Sequence, residues 1–401
     1  VNLLRRHAVR RSGWWLAPLT VVAGSLVSVA VSAVVVTLRV AQLVLVPTTS
    51  HPEDVVVRRV DRRTGTVTLS DHPDAVIPGR YSLYYFGDRG YAKVGEITAI
   101  ANGSVTRRLI SEERGTLRTG LKARISGTYY ESPAELGPGF REVTVDTALG
   151  PAPAWLVPAG NPSGRWAIQV HGRGSDRREC IRAIPVFHDA GYNSLLISYR
   201  NDGVAPSSAD GRYALGDTEW ADVESAIRFV VDHGATEITL MGWSMGGSLV
   251  LQCVTRSTLS GVVDGIILES PVVDWIRVLD HHAGALRIPY VIRAGVYRLI
   301  GASWGRRFTG QAEAIDMARL DFVSRAAELK LPTLLIHSDT DTFVPSTGSH
   351  ALAGLRPDIV SHVSFSGAGH TRLWNYDPDR WNRAIAEWLE RTAAVRRPSS
   401  P

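Results

Sequence analysis

Only two cysteines and three lysines occur in 401 residues, and each shortage narrows what the chain can be. Cys180 and Cys253 cannot build the disulfide framework of a small secreted scaffold. Each falls in a segment that reads as a helix after a core strand, where a cysteine serves as a small apolar residue. Lysine is confined to Lys93, Lys122 and Lys330, so the formal charge of +5 comes from arginine. No basic helix or aromatic RNA-binding motif accompanies that charge, which argues against a nucleic-acid partner. Also missing are G-x-x-x-x-G-K-[ST], a G-x-G-x-x-G after a strand, and H-E-x-x-H. The adjacent pair His281-His282 would face different sides of a helix and reads as surface histidines rather than metal ligands. Neither a metal nor an organic cofactor is expected.

One long apolar run stands out. Residues 14–38 carry no charge and are dominated by Val, Ala and Leu; about 25 such residues suffice to cross a hydrocarbon core of ~30 Å. Arg5, Arg6, Arg10 and Arg11 precede the run, whereas Arg39 follows alone, with Arg58 and Arg59 well beyond it. The positive-inside bias then makes residues 1–13 a basic cytoplasmic tail and places everything after the span outside the cytoplasm. Val31-Ser32-Ala33 resembles a signal-cleavage site, giving a secreted alternative, but the apolar run continues through Val34-Val35-Val36. The expectation is a retained single-pass anchor.

Residues 50–128 read as a small β-rich accessory domain. Val55–Val57, Thr66–Leu69, Tyr81–Tyr85, Lys93–Ile97 and Val105–Leu109 are β-branched or aromatic runs bounded by turn residues. The pattern changes over residues 129–395. Val143–Thr147 and Ala154–Val157 look like an antiparallel hairpin. Strands at 166–170, 194–198, 237–241, 265–269, 333–337 and 361–365 then alternate with helices. That alternation implies a mostly parallel sheet wrapped by helices. Residues 272–325 interrupt it with an apolar and aromatic insertion that also carries Arg287, Arg293, Arg298, Arg306 and Arg307.

Three segments carry chemistry. Gly242-Trp243-Ser244-Met245-Gly246 is a G-x-S-x-G run between a short apolar strand and a helix, the context in which that pattern exposes a nucleophilic serine on a tight turn. Such a serine needs a base, and the base an orienting acid. Downstream, Leu334–His337 runs into a loop holding Asp339 and Asp341, and Gly367-Ala368-Gly369-His370 leaves the strand Ser361–Phe365. A loop after an early strand, His171-Gly172-Arg173-Gly174, has the form of a backbone oxyanion turn.

Together these segments resemble the α/β-hydrolase superfamily of serine hydrolases over roughly the last two-thirds of the chain. The superfamily has a strand ending in H-G-x-x-D-x-x-V-P for its acid and a late G-x-x-H for its base. The resemblance implies Ser244 as nucleophile, Asp341 as acid and His370 as base, with the N–H groups of Met245 and Arg173 as the oxyanion hole. Ser338 stands where glycine is usual. Asp339 is a rival acid, whose plainer role is to hold the turn. His350 and His362 are rival bases, one in a helical stretch and one within a strand. The Arg173 side chain is left with two roles, binding an acidic substrate group or lying in solvent.

The fold expected is therefore an α/β-hydrolase fold with a lid at 272–325, behind a transmembrane helix and a small β-rich domain. The activity expected is hydrolysis of a small-molecule or lipid-like carboxylic ester through an acyl-enzyme. Peptidase, amidase or acyltransferase chemistry on the same residues is the alternative, as is an inactive membrane-tethered binding protein. In the lid, Trp275 and Trp304 are the candidate walls of an acyl pocket.

Overall fold

The computed structural model of the chain describes residues 16–48 and 51–396, with side chains described at 31–48 and 51–394. The basic tail 1–13 lies outside the described residues. An apolar run of Val, Ala and Leu forms helix α1, Leu16–Leu45. Among the described residues, no helix is long and apolar enough to cross a membrane, so the span expected at 14–38 is not seen there as such. The helix instead continues past residue 38 and docks. Ala41 and Leu45, spaced i and i+4 on one face, are fully buried with Leu38, Val40 and Val44 around them. Val31, Val34, Val35 and Leu43 remain exposed.

The β-rich segment closes into a six-stranded barrel in the order β1-β2-β5-β4-β3-β6. Its strands are β1 Val55–Asp61, β2 Thr66–Ser70, β3 Tyr81–Tyr85, β4 Gly90–Ala101, β5 Ser104–Arg114 and β6 Lys122–Ser126. Period-two alternation explains the closure: Val55, Val57, Val67, Leu69, Leu83, Val94, Val105, Ala123 and Ile125 point inward and form one core. The closing strand β6, which pairs with both β1 and β3, has no counterpart in the sequence reading. In Lys-Ala-Arg-Ile-Ser only Ala123 and Ile125 mark the inner face, too little to separate a strand from a loop.

The larger body is an eight-stranded sheet in the order β14-β13-β12-β11-β9-β10-β8-β7. The hairpin β7 Arg141–Thr147 and β8 Gly150–Val157 is antiparallel. The remaining strands, β9 Arg165–Val170, β10 Asn193–Ile197, β11 Glu237–Trp243, β12 Gly265–Glu269, β13 Thr333–Ser338 and β14 Val360–Phe365, run parallel. Helices α2 Ile184–Asp189, α3 Trp220–Asp232 and α4 Met245–Arg256 alternate with them. Between β12 and β13 the insertion forms α5 Trp275–Ala285, α6 Tyr290–Gly301 and α7 Arg306–Thr309; α8 Thr347–Leu355, α9 Leu373–Tyr376 and α10 Pro378–Arg396 follow. Central strands are apolar on both faces, as a sheet covered by helices requires. One core lies under α3 and α4, the other under α2 and α10.

Helix α1 joins the first of these cores, and α6 packs its Gly295 against Thr37. Leu45→Ala is therefore expected to cost about 2–5 kcal/mol of stability, the range for a buried leucine. Leu43→Ala, at a site 73% exposed, should stay within about 0.5 kcal/mol. Equal, small shifts in denaturant midpoint for both variants would show that α1 is not docked.

Candidate active site

A short apolar strand feeding a glycine-flanked serine produces the turn between β11 and α4. Ser244 adopts φ 51° and ψ −117°, a strained region for a residue with a side chain. Close packing enforces it. A Cβ on Gly246 would lie 2.2 Å from the Val170 carbonyl oxygen, and one on Gly242 2.6 Å from the backbone of Gly246. Ser244 N–H donates to Glu269 O at 3.0 Å, and its own carbonyl accepts from Val272 N–H and Gly247 N–H, each at 3.0 Å.

The structure brings Ser244, His370 and Asp341 into one hydrogen-bonded line. The Ser244 hydroxyl lies 2.9 Å from His370 Nε2, and His370 Nδ1 lies 2.7 Å from Asp341 Oδ2. With the proton on Nδ1, that nitrogen donates to the carboxylate and Nε2 accepts from the serine. Asp341 is held from behind. Its Oδ1 accepts from the N–H groups of Phe343 and Val344 at 2.8 and 2.9 Å, and its Oδ2 lies 3.2 Å from His337 Nε2. His337 Nε2 also faces Val344 O at 3.0 Å, so it carries a proton, and Nδ1 accepts from Ser349 Oγ at 2.7 Å. Burial alone would raise the Asp341 pKa, but the attraction of the carboxylate to the His370 imidazolium, when that ring is protonated, and hydrogen bonds from His337 and His370 outweigh it and hold the carboxyl well below its usual range.

The rivals lie elsewhere. Asp339 is exposed at the surface, where its Oδ1 accepts from His350 Nε2 at 2.7 Å and Ser346 Oγ at 3.2 Å. His362 packs edge-on to His350, with ring centroids 4.7 Å apart, and burial pushes its pKa down to about 4. Ser338, in the usual glycine position, has a use: its hydroxyl donates to Ala368 O at 2.7 Å. Thr340 Oγ1 in turn accepts from Gly367 N–H at 2.8 Å. The loop bearing Asp341 is thus stitched to the loop bearing His370.

On the other side of Ser244 lies the His171–Gly174 turn. Met245 and Arg173 N–H groups have no protein acceptor outside their own elements among the described residues. A Cβ on Gly172 would meet the Ser244 side chain at 3.2 Å. Gly172 N–H donates to the buried Glu179 Oε2 at 2.7 Å. His171, fully buried, stacks on Tyr199 at 4.3 Å. Its Nδ1 faces Gly172 O at 2.9 Å and its Nε2 faces Asp202 Oδ2 at 3.2 Å. Both partners only accept, so satisfying both requires the imidazolium. Burial opposes that charge, but the Asp202 carboxylate overcomes it, and the His171 pKa is raised. The Arg173 guanidinium takes neither role expected of it. It donates to Leu43 O and Val46 O at 2.8 and 3.0 Å, capping the end of α1.

The lid reaches the site through different residues from those expected. Trp275 belongs to the buried core, and Trp304 is exposed and packs on Phe308. Next to His370 stands Phe343, 51% exposed, with ring centroids 5.0 Å apart; His282 of α5 also packs on that phenylalanine, with centroids 4.9 Å apart. His281 Nε2 donates to Thr342 O at 2.9 Å, fastening α5 to the same loop. Phe343 lies inside the D-x-x-V-P stretch, so the motif held its position but not its exposure. Glu179 carried no sequence signal, and His282 was marked only as one of a pair of surface histidines. Among the described residues, no group of three or more His, Cys, Asp or Glu side chains is arranged to hold a metal. Both cysteines are free and buried.

Comparison with known proteins matches this architecture. Residues 56–126 match a family described as Domain of unknown function (DUF8805), and residues 160–384 match the Alpha/beta hydrolase family. An uncharacterized protein of Mycobacterium tuberculosis (strain ATCC 25618 / H37Rv), Rv2307c, is 24% identical over 273 residues, covering 66% of this chain and 84% of that protein. A 71-residue stretch, 18% of this chain, is 38% identical to 24% of the 2-hydroxy-6-oxononadienedioate/2-hydroxy-6-oxononatrienedioate hydrolase 2 of Pseudomonas putida. Among solved structures, the Pyrococcus furiosus esterase PF2001 superposes with a TM-score of 0.51 at 18% identity, over 65% of this chain and 94% of that one. The family match spans more than half of the residues, and the chain belongs to the alpha/beta hydrolase family.

Proposed function

We propose that the protein is a serine hydrolase that cleaves a carboxylic ester through an acyl-enzyme. The observation that carries this reading is the hydrogen-bonded line from Ser244 through His370 to Asp341. In the first half-reaction Ser244 Oγ attacks the ester carbonyl while His370 Nε2 takes its proton. The N–H groups of Met245 and Arg173 meet the negative oxygen of the tetrahedral intermediate. The proton then passes from His370 to the departing alcohol. In the second half-reaction His370 takes a proton from water, which attacks the acyl group; the proton then passes from His370 to Ser244 Oγ as the acyl C–O bond breaks, releasing the acid and restoring the serine. Asp341 keeps the imidazole in its working tautomer and offsets its charge.

Phe343 beside His370 offers an apolar surface to a substrate group, which suits a small-molecule or lipid-like ester. The likeness to an esterase fold agrees with that choice. An inactive binding protein would have no use for a strained serine aligned with a histidine and a buried carboxylate. A substrate panel of esters, anilides and acyl acceptors separates hydrolysis of esters from amidase and acyltransferase activity.

We also propose that the chain is tethered to a membrane, with the catalytic domain outside the cytoplasm. Four arginines precede the apolar run 14–38. Exposed Val31, Val34 and Val35 of α1 and exposed Leu286, Tyr290, Val291, Trp304 and Phe308 of the lid suit an apolar boundary, with Arg287, Arg298, Arg306 and Arg307 exposed for anionic headgroups. The expected result is a protein that sediments with membranes and resists extraction by high salt. A soluble mature form starting near residue 34 would favour the secreted form.

Ser244→Ala should lower aryl-ester hydrolysis by about 10²–10⁶-fold while leaving the melting curve in place; wild-type activity in this variant would end the proposal. Asp341→Asn should lower kcat by about 10²–10⁴-fold. Asp339→Asn should leave kcat within about threefold, because exposed ion pairs contribute little. The opposite ranking would move the acid to residue 339.

A further inference from the structure

We propose that the barrel is a positioning element of the active site, fixing the loop that carries His370 through its own segment 74–80. The proposal rests on the serine-hydrolase reading, which makes His370 the base.

The segment is stiffened from inside the barrel. Arg107 of β5 is fully buried. Its Nε donates to Gly95 O at 3.0 Å, Nη1 to Ala75 O and Ile77 O at 3.0 and 2.9 Å, and Nη2 to Ile77 O and Gly79 O at 3.0 and 2.9 Å. Every hydrogen-bond acceptor is a backbone carbonyl, and most belong to the segment 75–79. A buried cation without a bonded carboxylate is expensive. Here it gathers the carbonyls of a loop that has no strand ladder of its own.

That loop meets the hydrolase body on both sides of His370. Asp74 binds Arg372 with two contacts, Nη1 to Oδ1 at 2.5 Å and Nη2 to Oδ2 at 3.2 Å. Ile77 packs on Gly369, the residue just before the histidine, where a Cβ would sit 3.4 Å from the isoleucine Cδ1. Gly79 presses on Asn375 so closely that a Cβ would lie 2.1 Å from the asparagine carbonyl oxygen. Arg80 N–H donates to that same carbonyl at 2.9 Å. Fully buried Asn375 returns two hydrogen bonds from Nδ2, to Arg80 O at 2.9 Å and Gly127 O at 3.0 Å. Residues 369, 372 and 375 are thereby anchored to the barrel.

The same loop is tied from behind to the oxyanion turn. Arg182 Nη1 donates to Thr371 O at 2.7 Å and Asn375 Oδ1 at 3.2 Å, while Nη2 lies 3.6 Å from Glu179 Oε1. Glu179 also accepts from Gly172 N–H. Thr371 itself sits at φ 49°, a conformation that persists only where its surroundings enforce it. Loops are the mobile parts of a fold, and a misplacement of about 1 Å costs on the order of a hundredfold in rate. Ser338 and Thr340 hold the loop ahead of His370; the barrel and Arg182 hold it beyond.

The test uses the full chain and an aryl-ester substrate. Asp74→Ala should lower kcat about tenfold with KM within about twofold and melting temperature within about 3 °C, as fits a half-buried ion pair at the surface of the fold. The exchanged pair Asp74→Arg with Arg372→Asp should recover most of that loss, since it restores the contact with its signs reversed. Wild-type kcat in Asp74→Ala overturns the proposal. A change confined to KM also overturns it, by making the barrel a substrate contact. Failure of the exchanged pair to recover kcat overturns it too, because the loss then does not come from the contact. Ser244→Ala run alongside separates the two readings: if that variant stays active the hydrolase reading falls, whatever Asp74→Ala does.

Discussion

The site depends on the absence of two side chains. With no Cβ at Gly242 and Gly246, α4 can approach the ends of β9 and β11, and the 2.2 Å clearance to Val170 O leaves no room for any other residue at 246. That approach forces the chain into a turn at Ser244 tight enough to hold φ at 51°. It also puts the free N–H of Met245 at the amino end of a helix, where partial positive charge gathers. Ser244 keeps its backbone bonded to Glu269 and Val272, so the strain does not relax into the sheet. Everything else at the site is arranged around a serine that has one available orientation.

The sheet supports that serine without help, but the partner groups sit on loops, and each loop is held by something outside itself. Asp341 is fixed by the N–H groups of its own turn and by His337. The His370 loop is stitched to the Asp341 loop by Ser338 and Thr340. The His171–Gly174 turn rests on Glu179 and on the His171–Asp202 pair. Asp341, Glu179 and the His171–Asp202 pair are buried ionisable groups, each held by hydrogen-bond partners, which offset the cost of burial. Losing one partner would strand the other, so such networks resist partial change.

The sheet and the serine turn were legible in the sequence because they depend on local pattern. Apolar runs of strand length, alternating with helices, predict strands at 237–241 and 265–269 that the structure places at 237–243 and 265–269. Asp341, rather than Asp339, stands in line with His370, the residue that the resemblance to the hydrolase motif singled out through Val344-Pro345. What escaped is long-range. Strand β6 carries only two inward apolar residues, and its identity comes from pairing with β1 and β3 rather than from its own pattern. The docking of α1 past residue 38 hangs on Ala41 and Leu45 finding a core far along the chain. Trp275 and Trp304 were eligible for a pocket by chemistry alone, and only packing sends one to the core and the other to the surface.

Arg173 ties the turn beside Ser244 to the end of α1. Its guanidinium donates to Leu43 O and Val46 O, carbonyls that a helix leaves unpaired at its carboxyl end. A cation there is favoured by the helix dipole as well as by the hydrogen bonds. The side chain is therefore drawn toward α1 and over Tyr213, 5.6 Å from the ring. Tyr213 N–H in turn donates to Leu45 O at 2.8 Å. Anchoring the guanidinium to the end of α1 fixes the side chain of a turn whose Gly172 packs against Ser244.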